Sequence, residues 1–398
     1  MTMKYSFEIV VLLLFFLSIK SVNGNLPPKI FDVTKYGAVA NGKIDNTQVF
    51  LKAWRDACNY VGRSRILIPK GTYLLGSVSF IGPCKGSIIF VIKGILKAPT
   101  DPSTFFTDTW IGFRYLNNLV VKGGGFLNGQ GSSAWKYNDC QRNPQCKNLP
   151  VTMRFDFVKN SRIQSLKSIN SKNSHFNLFA CSNMNISNVK LTAPADSPNT
   201  DGIHIGTSSK IKISHAIIST GDDCISMVAG SQNIDISDVS CGPGHGISIG
   251  SLGRSLAQQH VKGINVRNCT FTNTDNGVRI KTWSPSLYSV ASDMTFENII
   301  MNNVRNPVVI DQQYCPAGGC PVESKSSVQI NDVTFSNIRG TSSTKVVVNL
   351  LCSRILPCKN VKLIDINLAY LGPGGPATSM CSHVIGSSHG KQIPGGCL

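Results

Sequence analysis

From Met184 onward, polar and apolar positions alternate in short runs: Met184-Asn-Ile186, Ile211-Lys-Ile213, Ile234-Asp-Ile236, Ile264-Asn-Val266, Met294-Thr-Phe296, Val333-Thr-Phe335 and Val361-Lys-Leu363. Apolar residues two apart are what a strand with one buried face requires. The later apolar member recurs after 27, 23, 30, 30, 39 and 28 residues. A period of this size marks a solenoid, in which each coil buries its apolar face only by stacking on its neighbours. Asn, Ser and Gly collect between the runs and supply turn conformations, and helical periodicity is nearly absent. The pattern predicts an all-β parallel β-helix, with the long step before Phe335, which holds Tyr314 and the Cys315 to Cys320 loop, inserted over a groove.

The start of the chain is patterned differently. Met1 to Gly24 carries Lys4, an apolar stretch from Ile9 to Ile19 and a small residue at its end, which reads as a cleaved signal peptide. The apolar stretch is too short to span a bilayer, and no later run is long enough to anchor the chain. Asp45 or Asn46 can cap a helix whose Phe50, Ala53, Trp54 and Ala57 share one face. Such a helix would cover the open end of the first coil. Strand-like runs follow at 65–68, 73–80 and 88–96, and the glycine-rich run from Gly123 to Gly131 lacks the Lys-Ser/Thr of a phosphate loop, so it reads as a tight turn. Since a solenoid grows by adding coils to one core, residues 25–398 are expected to form a single domain.

A second set of strands carries the chemistry. Asp201-Gly-Ile203-His-Ile205, Asp223-Cys-Ile225-Ser-Met227, His245-Gly-Ile247-Ser-Ile249 and Asn276-Gly-Val278-Arg-Ile280 align so that Asp201, Asp223, His245 and Asn276 fill one slot, at intervals of 22, 22 and 31 residues. On stacked coils that slot becomes a ladder with about 4.8 Å between rungs. Asp222, one residue off the ladder, would approach it from another direction. Like charges gathered this way raise one another's pKa and strain the fold, so chemistry is the better reason for them. An inverting glycosidase needs one carboxyl to protonate the leaving oxygen and a carboxylate side to activate water, about 6.5–9.5 Å away. The arrangement suggests Asp201 with Asp223 as the water-activating pair and Asp222 as the acid. Arg279 and Lys281 leave one face of their strand, where they are suited either to a uronate carboxylate or to balancing the aspartates. His245 lies between glycines that would let a sugar ring approach, and Trp283 and Tyr288 follow as candidates for stacking on sugar faces. His204 is expected to line the groove, and Asn199 to position the aspartates or bond sugar hydroxyls.

Taken together, Asn199-Thr-Asp201, Gly221-Asp-Asp223, Gly244-His-Gly246 and Arg279-Ile-Lys281 resemble the motifs of the polygalacturonases, the pectin-hydrolysing glycosidases built as right-handed parallel β-helices. The stretch from Phe31 to Lys43 is similar to the family's opening strand. The resemblance implies that Asp222 is the general acid, that Asp201 and Asp223 form the base side and that His245 tunes the acid. It also implies that Arg279, Lys281 and, on a looser alignment, Tyr314 bind substrate, with no metal or other cofactor. The wording around the motifs is most like the pollen-type branch, whose members are mostly exo-acting, which implies release of galacturonate during loosening of the plant cell wall.

Charge and cysteines sharpen the setting. The net charge of +18, or +17 without the first 24 residues, favours a polyanionic partner such as polygalacturonate. Nucleic acid is not expected, for no groove-reading motif or basic run is present. The 14 cysteines agree with a secreted, extracellular, cell-wall protein. Spacing suggests Cys58–Cys84, Cys140–Cys146, Cys224–Cys241, Cys315–Cys320, Cys352–Cys358 and Cys381–Cys397, which leaves Cys181 and Cys269 as buried thiols or a further bridge. Asn185 and Asn268 sit in glycosylation sequons. A monomer is expected. The rival readings are an endo-acting enzyme, a hydrolase of rhamnose- or xylose-bearing pectin, a Ca²⁺-dependent pectate lyase and a non-catalytic wall-binding protein.

Overall fold

The structure is a computed structural model that describes residues 27–139, 143, 145–254, 260–316, 318–321 and 325–398. The predicted leader therefore lies outside the described residues. The alternating runs form strands that pair in parallel, each with the equivalent strand one coil away. Met184, Ile211, Ile234, Ile264, Met294, Val333 and Val361 occupy successive positions of one ladder. All seven are buried. The chain is a right-handed parallel β-helix, with an 11-stranded sheet on one side and a 20-stranded sheet wrapping the rest.

The corners explain the composition. Four residues past each member of that ladder lie Asn188, His215, Asp238, Asn268, Asn298, Asn337 and Asp365, all with φ between 48° and 56°. Asn and Asp enter this left-handed region more readily than other side chains, so polar residues bend the chain at these corners, and Asn337 Nδ2 also donates to Asn298 Oδ1 on the neighbouring coil at 2.7 Å. Asn268 is thus a corner residue, with its side chain exposed, as is that of Asn185.

Inside, like side chains stack on like. Ile203, Ile225, Ile247, Val278, Val308 and Val348 form one apolar column. Phe113 stacks on Phe155 with ring centroids 5.4 Å apart, and Phe296 on Phe335 at 5.0 Å. Burial of each such side chain stabilises the fold by about 1.5–3 kcal/mol.

The N-terminal helix spans Thr47–Asn59 and buries Phe50, Ala53, Trp54, Ala57 and Cys58. Asn46 precedes it without capping it. Its amide instead bonds Val39, Ile44 and Leu74 backbone groups, while Asp45 accepts from the Thr47 N–H at 3.0 Å. Two predicted strands are each split by a coil corner. The 73–80 run divides into Thr72–Leu74 and Val78–Ile81, and 88–96 into Ile88–Ile92 and Ile95–Lys97. The glycine-rich run turns at Gly123, where a Cβ would lie 2.2 Å from the Ile92 carbonyl oxygen, and then becomes the Phe126–Asn128 strand. Five of the expected disulfides are present. The Cys140–Cys146 pair falls on residues not all described, and Cys181 and Cys269 are buried thiols.

Replacing Ile236, which is fully buried in mid-stack, with alanine should cost about 2–5 kcal/mol of stability. Urea unfolding checks this, and a loss below 1 kcal/mol would mean that the coils are not packed as described.

Candidate active site

The motif strands Ile203–Gly206, Ile225–Met227, Ile247–Leu252 and Asn276–Trp283 are neighbours in the 11-stranded sheet. Their register pairs His204 with Ser226, Ser226 with Ser248 and Ser248 with Arg279. Continued backward along each strand, the same register aligns Asp201, Asp223, His245 and Asn276, so the ladder expected from spacing exists. The outward face of these coils is the floor of a cleft of about 940 Å³, lined among others by Asp201, Asp222, Asp223, His204, Lys281, Trp283 and Tyr314.

Each aspartate has a different environment. Asp223 is almost fully buried and accepts from Ser248 Oγ at 2.7 Å, Arg279 Nη2 at 2.9 Å and Lys281 Nζ at 3.0 Å. Asp201 accepts from Ser226 Oγ at 2.8 Å, and the same serine bonds His204 Nδ1 at 2.7 Å. Burial first, and the charge of Asp222 second, hold the Asp201 carboxyl above the ordinary carboxylate range, against the pull of His204. Asp222 Oδ1 faces His245 Nδ1 at 3.1 Å and accepts from the Asp223 N–H at 2.7 Å. Burial pushes Asp222 up, but the His245 hydrogen bond and charge, with the Asp223 N–H and the Lys281 charge, outweigh it and hold the group below the ordinary range. The bond to Asp222 in turn raises the His245 pKa, helped by the charges of Asp223 and Asp275 and opposed by burial. The opposed shifts of Asp222 and His245 are those of an ion pair, with the imidazole favoured over the carboxylate as the holder of the proton.

Several sequence-predicted residues stand differently from expectation. Arg279 and Lys281 share a face but are both engaged by Asp223, so in this state they balance charge. Asn199 does not position the aspartates: exposed, with φ 53°, it accepts from Asn138 Nδ2 at 2.6 Å. Its neighbour Thr200 does the positioning, accepting from the Gly221 N–H at 2.9 Å and bonding Ser197 Oγ. The glycines beside His245 serve backbone contact between coils, since a Cβ on Gly246 would lie 2.2 Å from the Asn276 carbonyl oxygen. Trp283 lines the cleft, and one face of its ring is covered by the Arg254 guanidinium at 3.3 Å. Tyr288 is half exposed and is not among the cleft lining. Tyr314 reaches the cleft, 5.0 Å from the Trp283 ring and 5.2 Å from Lys281 Nζ.

Sequence reasoning missed Ser226 and Ser248, whose signal was their place in the His204 to Arg279 slot. It also missed Arg154, which lines the cleft and bonds Asp156 at 2.9 Å and Asp108 at 3.1 Å. Asp222, Asp223 and His245 present ligand atoms within 4.8 Å of one another. They do not suit a divalent cation, which would meet the ammonium and guanidinium already held by Asp223.

Comparison with known proteins places this geometry. The profile described as "Glycosyl hydrolases family 28" matches residues 58–390. An exopolygalacturonase of Platanus acerifolia is 50% identical over 92% of this chain and 97% of its own length. One from Oenothera organensis is 48% identical over 89% and 98%. Among solved structures, the endo-xylogalacturonan hydrolase of Aspergillus tubingensis superposes with a TM-score of 0.78 at 23% identity, covering 90% of this chain and 98% of its own, a likeness of fold.

The raised His245 pKa means that its stabilising contribution is complete below about pH 6.5 and is lost as pH rises through the folded value; that of Asp222, held low, is complete above about pH 3.9 and is lost as pH falls through its folded value. In NMR titration the His245 ring midpoint should lie above about 6.5 and drop when Asp222 is replaced by asparagine. A midpoint indifferent to that substitution would contradict the pairing.

Proposed function

We propose, on the premise that this chain belongs to glycosyl hydrolases family 28, that it is a polygalacturonase hydrolysing the α-1,4 bonds of the galacturonate backbone of pectin and working from chain ends. The observation that carries the reading is the stacked set of Asp201, Asp222, Asp223 and His245 on a cleft floor, in three distinct electrostatic settings. Relatives of about half-identical sequence named exopolygalacturonase support the exo mode.

In the mechanism, Asp222 is the general acid and Asp201 with Asp223 holds the attacking water. Asp201, kept above the ordinary carboxylate range by burial and the Asp222 charge, is suited to accepting the water's proton. A uronate sugar bound over the cleft excludes water from the Asp222 and His245 pair. With less solvent to support separated charge, the proton passes from His245 Nδ1 to the carboxylate and then to the leaving oxygen. Water attacks from the opposite face, so configuration inverts. Lys281 and Arg279 keep Asp223 in place and offer their remaining N–H groups to the substrate carboxylate, and His204 and Tyr314 line its path.

A physical reason for exo action lies before Val151. Trp135 Nε1 donates to the Ser171 carbonyl at 3.0 Å, and Asn138 reaches Asn199. The segment these residues belong to contributes Asn138, Asp139, Asn148 and Leu149 to the cleft lining. On this reading these side chains would narrow the cleft on the side of the early coils, which favours entry of a chain end over a continuous strand. Asn199 is then a tie for that segment. We further propose that the protein works as a monomer, secreted to the cell wall with residues 1–24 as its leader. The disulfides agree with that compartment, and no helix among the described residues is long and apolar enough to cross a membrane.

With de-esterified polygalacturonate and a chelator present, chromatography should show monomeric galacturonate alone from the earliest times. A ladder of oligomers would overturn the exo mode, and an ultraviolet-absorbing, chelator-sensitive product would overturn hydrolysis itself. Asp222→Asn should lower turnover by roughly 10²–10⁴-fold, the usual worth of a general acid, while substrate binding persists. Undiminished turnover would remove Asp222 from the acid role.

A further inference from the structure

The two cations expected to receive the substrate's carboxylates are both committed to Asp223, and Lys281 is only 6% exposed. A different cation stands beside the cleft, on a ring that lines it. Arg254 is exposed at the end of the Ile247–Leu252 strand region, and its guanidinium carbon stands 3.3 Å over the ring of Trp283. Trp283 packs against Tyr314 at 5.0 Å, and Tyr314 lies 5.2 Å from Lys281 Nζ, so the four side chains form one continuous shelf. Trp283 and Tyr314 both face the cleft. Among the described residues, Arg254 has no carboxylate partner.

We propose that Arg254, fixed on Trp283, is a recognition residue for a second uronate of the bound chain, one beyond the sugar held over the aspartates. This rests on the polygalacturonase reading above. Stacking suits the task. A guanidinium lying flat on an indole is held by cation–π attraction, and its N–H groups point outward in its own plane, free to grip a carboxylate with two parallel bonds. Trp283 is thereby a support for the cation rather than a platform for a sugar face. The basic shelf and the aspartate-rich floor divide the cleft into a part that binds charge and a part that acts on the bond. Among the described residues that line the early-coil side, the cation is Arg154, and it is bound by Asp156 and Asp108.

The test measures calorimetric binding of tetragalacturonate in the Asp222→Asn background, with and without Arg254→Gln, alongside steady-state kinetics of the single variants. Loss of one charge-assisted contact should weaken affinity about tenfold, equivalent to about 1.4 kcal/mol, flatten the salt dependence of binding, and raise KM in the otherwise unaltered protein while kcat stays within about twofold. Arg254→Lys should regain part of the affinity, as a charge without the planar fork would. Affinity unchanged by Arg254→Gln overturns the proposal. So does a loss that accompanies a lowered Tm and is not relieved by lysine, since that assigns Arg254 to local packing. Binding is read whether or not the bond is cut. Turnover by the unaltered protein therefore judges the hydrolase reading separately.

Discussion

The Asp223 carboxylate, held by the Arg279 guanidinium at 2.9 Å and the Lys281 ammonium at 3.0 Å, is the contact on which the candidate active site depends. Parallel stacking in register sets equivalent residues about 4.8 Å apart. At an effective dielectric constant near 20, two carboxylates at that spacing repel by roughly 3 kcal/mol. Asp201 and Asp223 stand on neighbouring rungs, and Asp222 adds a third charge, which acts on Asp201 more strongly than that of Asp223. The fold can hold them only because Arg279, two coils further on, shares an outward column with Ser226 and Ser248 and so projects back along the floor. Removing one partner of a buried pair of this kind is strongly destabilising, so the cations belong to the architecture as much as to the substrate.

From that anchoring the division of roles follows. With Asp223 neutralised by its cations, the remaining charge is shared between Asp201 and Asp222, and their surroundings pull them apart. Asp201 lies on the cleft floor with a serine and a histidine beside it, and is held high. Asp222 lies against His245 and is held low, with the proton kept one hydrogen bond away. Two groups whose environments separate their affinities for protons are what acid and base steps need. His245 is within salt-bridge reach of Asp275 through its second ring nitrogen, Nε2, at 3.5 Å, which keeps the ring oriented.

The fold was readable because its signal is repetition. A single Met184-Asn-Ile186 says little, but seven such runs in step impose stacking, and the structure pairs them in that register. The active slot was readable for the same reason, since Asp201, Asp223 and His245 sit at equal intervals before strands of one pattern. What spacing could not convey is who bonds whom across coils. Nothing in the Asn-Thr-Asp motif says that Asn199 turns outward to Asn138 while Thr200 holds Gly221. Ser226 and Ser248 look like ordinary strand residues until their column is seen to lead to Arg279. Arg254 and Trp283 meet only because the ends of two strands on adjacent coils are brought together, and no local pattern encodes that. The corner residues show the reverse case, in which local chemistry suffices: Asn or Asp at a left-handed bend is its own explanation.

The central claim is that Asp222 donates a proton while water, held by Asp201 and Asp223, attacks from the other face of the sugar. Stereochemistry tests it most directly. Proton NMR during the first turnovers of an α-1,4-linked oligogalacturonate should show the β anomer at the newly formed reducing end before mutarotation adds the α anomer. Initial release of the α anomer would mean retention through a covalent intermediate, and would contradict the assignment of the three aspartates.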